Sequence, residues 1–95
     1  MHPLDALGNP VRRDILLTLR STPMSVSELA RRFPVSRPAV SRHLGVLERA
    51  GLVELRPQGG RGVYAVRLQG LAQVREFLDE FWGAALRRLA ELARQ

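Results

Sequence analysis

Two arginines, Arg37 and Arg42, stand on either side of a run of small residues in the segment SRPAVSRHLGVLERAG that spans 36–51. Guanidinium groups are planar forks of N–H donors, suited to phosphate oxygens and to the O6/N7 edge of guanine. Turned at about 100° per residue, the segment lines up Val40, Leu44 and Leu47 as one apolar stripe, with Pro38, Ser41, Arg42 and Gly45 opposite and Arg37 and Glu48 on a flank. Small residues between arginines let a helix settle close to a polyanion, so the partner expected of this face is double-stranded DNA. His43 turns nearer the apolar stripe, and two readings stay open for it: a partly buried histidine bonded to backbone, or a DNA contact.

Other chemistries are poorly served. There is no cysteine, hence no disulfide, iron–sulfur cluster or thiolate metal site, and His2 and His43 are the only histidines. No metal or cofactor is expected. An enzyme is not expected either: no phosphate-cradling loop and no Ser/His/Asp arrangement is present, and Gly59-Gly60-Arg61-Gly62 precedes a strand where a phosphate loop needs a helix N-terminus.

The elements that position the arginines are marked by their punctuation. Ser25 with Glu28 three residues on is a capping box, so a helix starts there, and Pro34 stops it at Phe33. Val26, Leu29, Ala30 and Phe33 form its buried side, and Arg31 and Arg32 face solvent. Ser36 caps the second helix, whose first turn tolerates Pro38, and Gly51 ends it. Residues 25–51 are therefore a helix-turn-helix. Upstream, Asn9 and Pro10 open a helix over 11–20 that buries Val11, Ile15, Leu16, Leu17 and Leu19 and leaves Arg12, Arg13 and Asp14 to solvent. Downstream the period becomes alternating, and two strands within 52–68 flank the glycine-rich 57–62, a β-hairpin placed as a wing. Arg61 is expected at its tip, with Arg56 and Arg67 near its base, reaching for phosphates or a minor groove; charged edges that discourage sheet association are the alternative.

The last segment, 70–94, is helical and too apolar for one small subunit. Phe81, Trp82, Leu86 and Leu89 belong to a stripe covering about half the cylinder. A chain of 95 residues can bury only part of it. The economical arrangement is a homodimer in which this helix, with Leu4 and Leu7 of the N-terminal segment 3–20, packs against its copy about a two-fold axis. The expected fold is mainly α with a β-hairpin, a single winged helix-turn-helix domain over 1–95 with helices flanking at both ends. A formal charge of +6, carried by arginine without any lysine, fits a nucleic-acid partner. No apolar run is long enough for a membrane span and no signal-peptide block opens the sequence, so the expected compartment is the cytoplasm.

The block 36–53, ending Leu52-Val53, together with 7–16 (LGNPVRRDIL) and the Gly60-Arg61-Gly62-Val63-Tyr64 wing, resembles the ArsR-type winged-helix repressors over nearly the whole chain. The resemblance implies a homodimeric repressor on an imperfect palindrome in a promoter. It also implies DNA reading by Ser36, Arg37, Ser41, Arg42 and His43, with Arg61 on the wing. Many such repressors sense a metal through cysteines before the recognition helix or through Asp and His on the terminal helix. Here the first location reads Ser27-Glu28-Leu29-Ala30-Arg31-Arg32, and the terminal helix has Asp79, Glu80 and Glu91 but no histidine. The expected regulator is metal-independent, with a small-molecule or protein effector left open. The alternative is a winged-helix interaction module that does not bind DNA.

Overall fold

The computed structural model describes residues 1–94 and contains α1 (Pro3–Ala6), α2 (Pro10–Leu19), α3 (Val26–Ala30), α4 (Arg37–Arg49), β1 (Val53–Gln58), β2 (Arg61–Val66) and α5 (Leu68–Ala93). The helix starts follow the caps. The Asn9 side-chain oxygen accepts from the N–H groups of Val11 and Arg12 at 2.9 and 3.2 Å, with Pro10 in the first turn. Ser25 and Glu28 exchange backbone N–H bonds at 3.2 Å each, and Ser36 Oγ accepts from Ala39 at 3.2 Å. At the end of α4 the Gly51 N–H donates to Glu48 and the Leu52 N–H to Leu47, with Gly51 at φ 77°. Those two bonds satisfy carbonyls the helix would otherwise leave open, and only glycine takes that φ without strain.

Ile15 and Leu19 of α2, Leu29 of α3, and Val40, Leu44 and Leu47 of α4 close one core over Leu52 and Val53. The hairpin joins this body antiparallel, Val53 opposite Val66 through Gln58 opposite Arg61. Its turn is Gly59-Gly60, both at positive φ (57° and 79°), the two-residue geometry that matches strand twist. A further antiparallel bridge ties Tyr64 to Met24, just before α3, through bonds of 2.7 and 3.1 Å. The wing is thereby fastened to the helix-turn-helix by backbone.

Several expectations are corrected. α3 ends at Ala30 rather than Phe33: Pro34 forces its predecessor out of helical geometry, and the chain tightens beforehand, Arg32 N–H turning back to the Leu29 carbonyl at 2.9 Å. The strands reach further into 57–62 than the glycines suggest, so Arg61 is the first residue of β2 beside the turn rather than on it. α5 begins at Leu68, taking from the wing a residue read there as strand. Leu17, read as core, is 52 % exposed, because α2 meets the body only along the Ile15/Leu19 side. Arg12, read as solvent-facing, is half-buried, its Nε donating to the Ala6 carbonyl at 2.6 Å and so fastening α1 to α2.

Residues 1–8 form more than a loose strap. His2 and Asp5 make a capping box on α1, Pro3 and Ala6 are buried, and α1 packs against α4 and α5. α5 is a rod of 26 residues, roughly 39 Å at the usual helical rise, in a molecule 62 × 25 × 24 Å. Its first turns lie on the body at one tight point. The Gly51 carbonyl accepts from Arg67 Nη1 at 3.3 Å, and a Cβ on Gly70 would stand 1.9 Å from that same oxygen. At Gly83, in the same helix, a Cβ would meet only the end of Arg87 at 3.5 Å. Gly70→Ala should therefore cost about 1–3 kcal/mol by overpacking, whereas Gly83→Ala should stabilise by up to about 1 kcal/mol through helix propensity. Urea denaturation midpoints of the two variants would check the contrast.

Candidate nucleic-acid interface

The exposed side of α4 is shaped by what its core side leaves over. With Val40, Leu44 and Leu47 fully buried, Pro38, Ser41 and Arg42 come to the surface together with Gly45, Val46 and Arg49, lining one open, shallow cleft along the helix. Arg37 is exposed in the first turn. Ser36 is exposed too, but its hydroxyl is engaged as the cap, leaving its O–H hydrogen free to donate. Arg49 was not among the residues singled out from sequence. The signal was available: it lies seven positions after Arg42, two turns along the same face.

His43 is not on that cleft. It is half-buried toward Arg12 of α2; burial lowers its pKa below the ordinary 6.5, and the charges of Arg12 and Arg42 lower it further. The neutral imidazole is therefore the favoured form in the fold.

Arg61 is held rather than free. Its Nη2 donates to Glu28 Oε1 at 3.1 Å, the same oxygen that accepts the Ser25 N–H at 3.2 Å. The Ser25 backbone and side-chain bonds lower the Glu28 carboxyl pKa, burial opposes them in part, and the Arg61 and Arg31 charges lower it further. One carboxylate thus closes the cap of α3 and anchors the wing, leaving the remaining guanidinium N–H groups of Arg61 for another acceptor. Arg56 is paired with Glu54 at 2.6 Å, and Arg67 is spent on the Gly51 carbonyl. The structure thus gathers Pro38, Ser41 and Arg42 in one cleft, sets Ser36 and Arg37 at the N-terminal end of the same helix, and holds Arg61 against α3 by a contact that sequence spacing could not reveal.

The second surface is apolar. Phe81, Trp82, Leu86 and Leu89 are each 55–60 % exposed on α5, with Phe81 and Trp82 packed edge to face at 5.7 Å. Leu4 and Leu7 are half-buried in the N-terminal segment, with Leu7 bordering the start of α5 at Leu71.

A capped helix pair whose second helix carries an open basic face, followed at once by a hairpin, defines a winged helix-turn-helix DNA-binding protein. Residues 7–56 match the helix-turn-helix domain family. The HTH-type transcriptional regulator Rv2034 of Mycobacterium tuberculosis is 52 % identical over 87 residues, covering 92 % of this chain and 81 % of its own. The crystal structure of a possible transcriptional regulator for arsenical resistance is similar with a TM-score of 0.80 at 42 % identity, covering 96 % of this chain and 95 % of its own. An ArsR-like transcriptional regulator from Rhodococcus sp. RHA1 has a TM-score of 0.79 at 34 % identity, covering 96 % and 86 %. The chain belongs to the ArsR-type winged helix-turn-helix transcriptional regulators, which are DNA-binding regulators and not enzymes. No helix among the described residues is long and apolar enough to cross a membrane.

Two outcomes follow from the contacts. Because His43 holds its proton less tightly in the fold than in the unfolded chain, the unfolded state takes up more protons as pH falls through 6.5 toward the folded pKa. Stability should decline over that window and His43→Gln should flatten the decline, as read by denaturation midpoints against pH. Glu28→Gln keeps a cap acceptor but discharges the wing anchor. Amide exchange at the Arg61 end of β2 should quicken with helix content unchanged; unaltered protection would assign the anchoring to the Met24–Tyr64 bridge alone.

Proposed function

We propose that the protein is a metal-independent transcriptional repressor that acts as a homodimer on a palindromic promoter site, in the cytoplasm. The observation that carries this reading is the separation of its two open surfaces: arginines on α4 and the wing, apolar side chains on α5. In this reading Arg42 contacts base edges, Arg37, Ser41 and Arg49 contact bases or phosphates along the cleft, and Ser36 and Pro38 sit where the helix N-terminus meets the backbone. Arg61 reaches phosphate from the wing while Glu28 holds it. His43 acts on DNA only through its neighbours Arg42 and Arg12. The dimer seam comprises Phe81, Trp82, Leu86 and Leu89 of α5 with Leu4 and Leu7, and it sets the two copies of α4 roughly 34 Å apart, one turn of DNA.

Metal independence is supported by the donor chemistry. The sequence has no cysteine, and among the described residues no three His, Asp or Glu side chains converge. Nδ1 of His2 accepts the Leu4 N–H at 3.0 Å as a helix cap, and His43 faces two guanidinium charges that repel a cation. Release from DNA is instead a matter of the angle between subunits: any effector that changes it lowers the affinity of both half-sites together.

Selection from random duplexes with the purified protein tests this. Enrichment of two inverted half-sites spaced by about one helical turn, with affinity falling steeply as salt rises, is the expected result. Absence of any enriched sequence would overturn it. Arg42→Ala should weaken binding to the selected site by about 1–3 kcal/mol and relax preference at one position of each half-site, measured by fluorescence anisotropy on single-base variants.

A further inference from the structure

The fold does not account for the glycine in the interior of α4. Gly45 lies within regular helix and lacks the positive φ that explains Gly51. A Cβ placed on it would meet only the flexible end of Arg49, at 3.4 Å, so it is not held by close packing as Gly70 is. Glycine weakens a helix interior relative to alanine, and the isolated chain gains nothing here in return. Gly83 of α5 shares that freedom, so the residue type alone marks no function; the neighbours of Gly45 do.

Turned at about 100° per residue, Arg42 and Arg49 point within about 20° of one another, away from the buried Val40, Leu44 and Leu47 side. Seven residues separate them by roughly 10 Å along the helix axis. Both are exposed, and among the described residues neither joins an ion pair, whereas Arg56 and Arg61 do. Between them the outward positions are held by Gly45 and Val46, both half-buried, the valine packed against the core. Two unpaired guanidiniums therefore flank a recess whose floor offers a Cα and an aliphatic side chain.

The edges that a major groove presents are hydrogen-bonding groups with one apolar exception, the 5-methyl of thymine. A guanidinium fork suits the former; a floor without a polar side chain suits only the latter. We propose that Gly45, with Val46 beside it, is a specificity-determining residue, the gap in the recognition helix that admits a thymine methyl between the groups contacted by Arg42 and Arg49. The inference rests on α4 being the DNA-reading helix and specifies what that reading leaves open: preference for a base that no hydrogen-bonding side chain reads. A side chain at position 45 would hold the helix backbone off the base and lift both arginines with it.

The probe is the duplex selected from random sequence by the parent protein, with each thymine of a half-site replaced in turn by deoxyuridine, which lacks only the methyl. The sensitive thymine should lie within about three base pairs of the position whose preference Arg42→Ala relaxes. There the replacement should weaken binding about four-fold in fluorescence anisotropy, the value of burying one methyl group. Gly45→Ala should raise the urea denaturation midpoint yet weaken binding to the thymine duplex by about five-fold or more, and deoxyuridine should then have no further effect. Those opposite signs separate a reading role from a structural one. A Gly45→Ala protein that binds both duplexes as the parent does, while Arg42→Ala weakens binding, would overturn the slot and leave α4 as the reading helix. A deoxyuridine effect of equal size in parent and Gly45→Ala would assign the methyl to the shape of the duplex and overturn it too. Binding indifferent to Arg42→Ala and Gly45→Ala alike would remove the reading of α4 itself.

Discussion

One backbone carbonyl, that of Gly51, aims everything downstream of the recognition helix. α4 ends there in a left-handed turn whose two hydrogen bonds leave no freedom in how the chain departs. The same oxygen receives the Arg67 guanidinium and lies under the Cα of Gly70, where no side chain fits. The end of the DNA-facing helix and the start of the long α5 rod are thus built on a single shared atom. Glycine is required at both positions for different reasons, a positive φ at 51 and a close approach at 70.

The wing is held with comparable economy. Gly59-Gly60 fixes the register of the hairpin, and the Met24–Tyr64 bridge extends it toward the segment before α3. Glu28 then adds an ion pair to Arg61 from within the cap of α3. An exposed pair of this kind contributes little to stability. Its value is geometric, because the guanidinium is oriented before any acceptor arrives and less rotamer freedom remains to be lost. The backbone bridge carries the load of attachment, and the ion pair directs one side chain.

What could be read from the sequence was what local chemistry dictates. Ser25 with Glu28, Asn9 with Pro10, Ser36, and Gly51 each specify a helix end through hydrogen bonds spanning two to five residues, and each stands where its chemistry requires. The Val40, Leu44, Leu47 stripe is legible because periodicity alone decides which face is buried. Three of the failures are nonlocal. The Arg61–Glu28 pair joins residues 33 apart, so nothing near Arg61 announces it. Leu17 looks like core because leucines surround it, and only the docking direction of α2 exposes it. Gly70 carries no mark in the sequence, because its constraint comes from the Gly51 carbonyl that lies beneath it in the fold.

Exposure on α5 and exposure on α4 are opposite in meaning. Arginines in water are solvated and await a polyanion whose counterions they will displace. Phe81, Trp82 and the leucines beyond them gain nothing from water, and covering them releases free energy in proportion to the apolar area removed. The drive to pair is thus concentrated on the one element whose orientation is locked to the recognition helix through Gly51 and Gly70. In the proposed dimer, burial of the stripe does more than hold two chains together: through that joint it sets the direction in which each α4 points. Dimerisation on a flexible tether would raise local concentration without fixing the distance between half-sites. In that proposal the tether is a helix whose first turns cannot shift without moving the end of α4, so the same hydrophobic burial would both assemble the dimer and select the spacing of the DNA it holds.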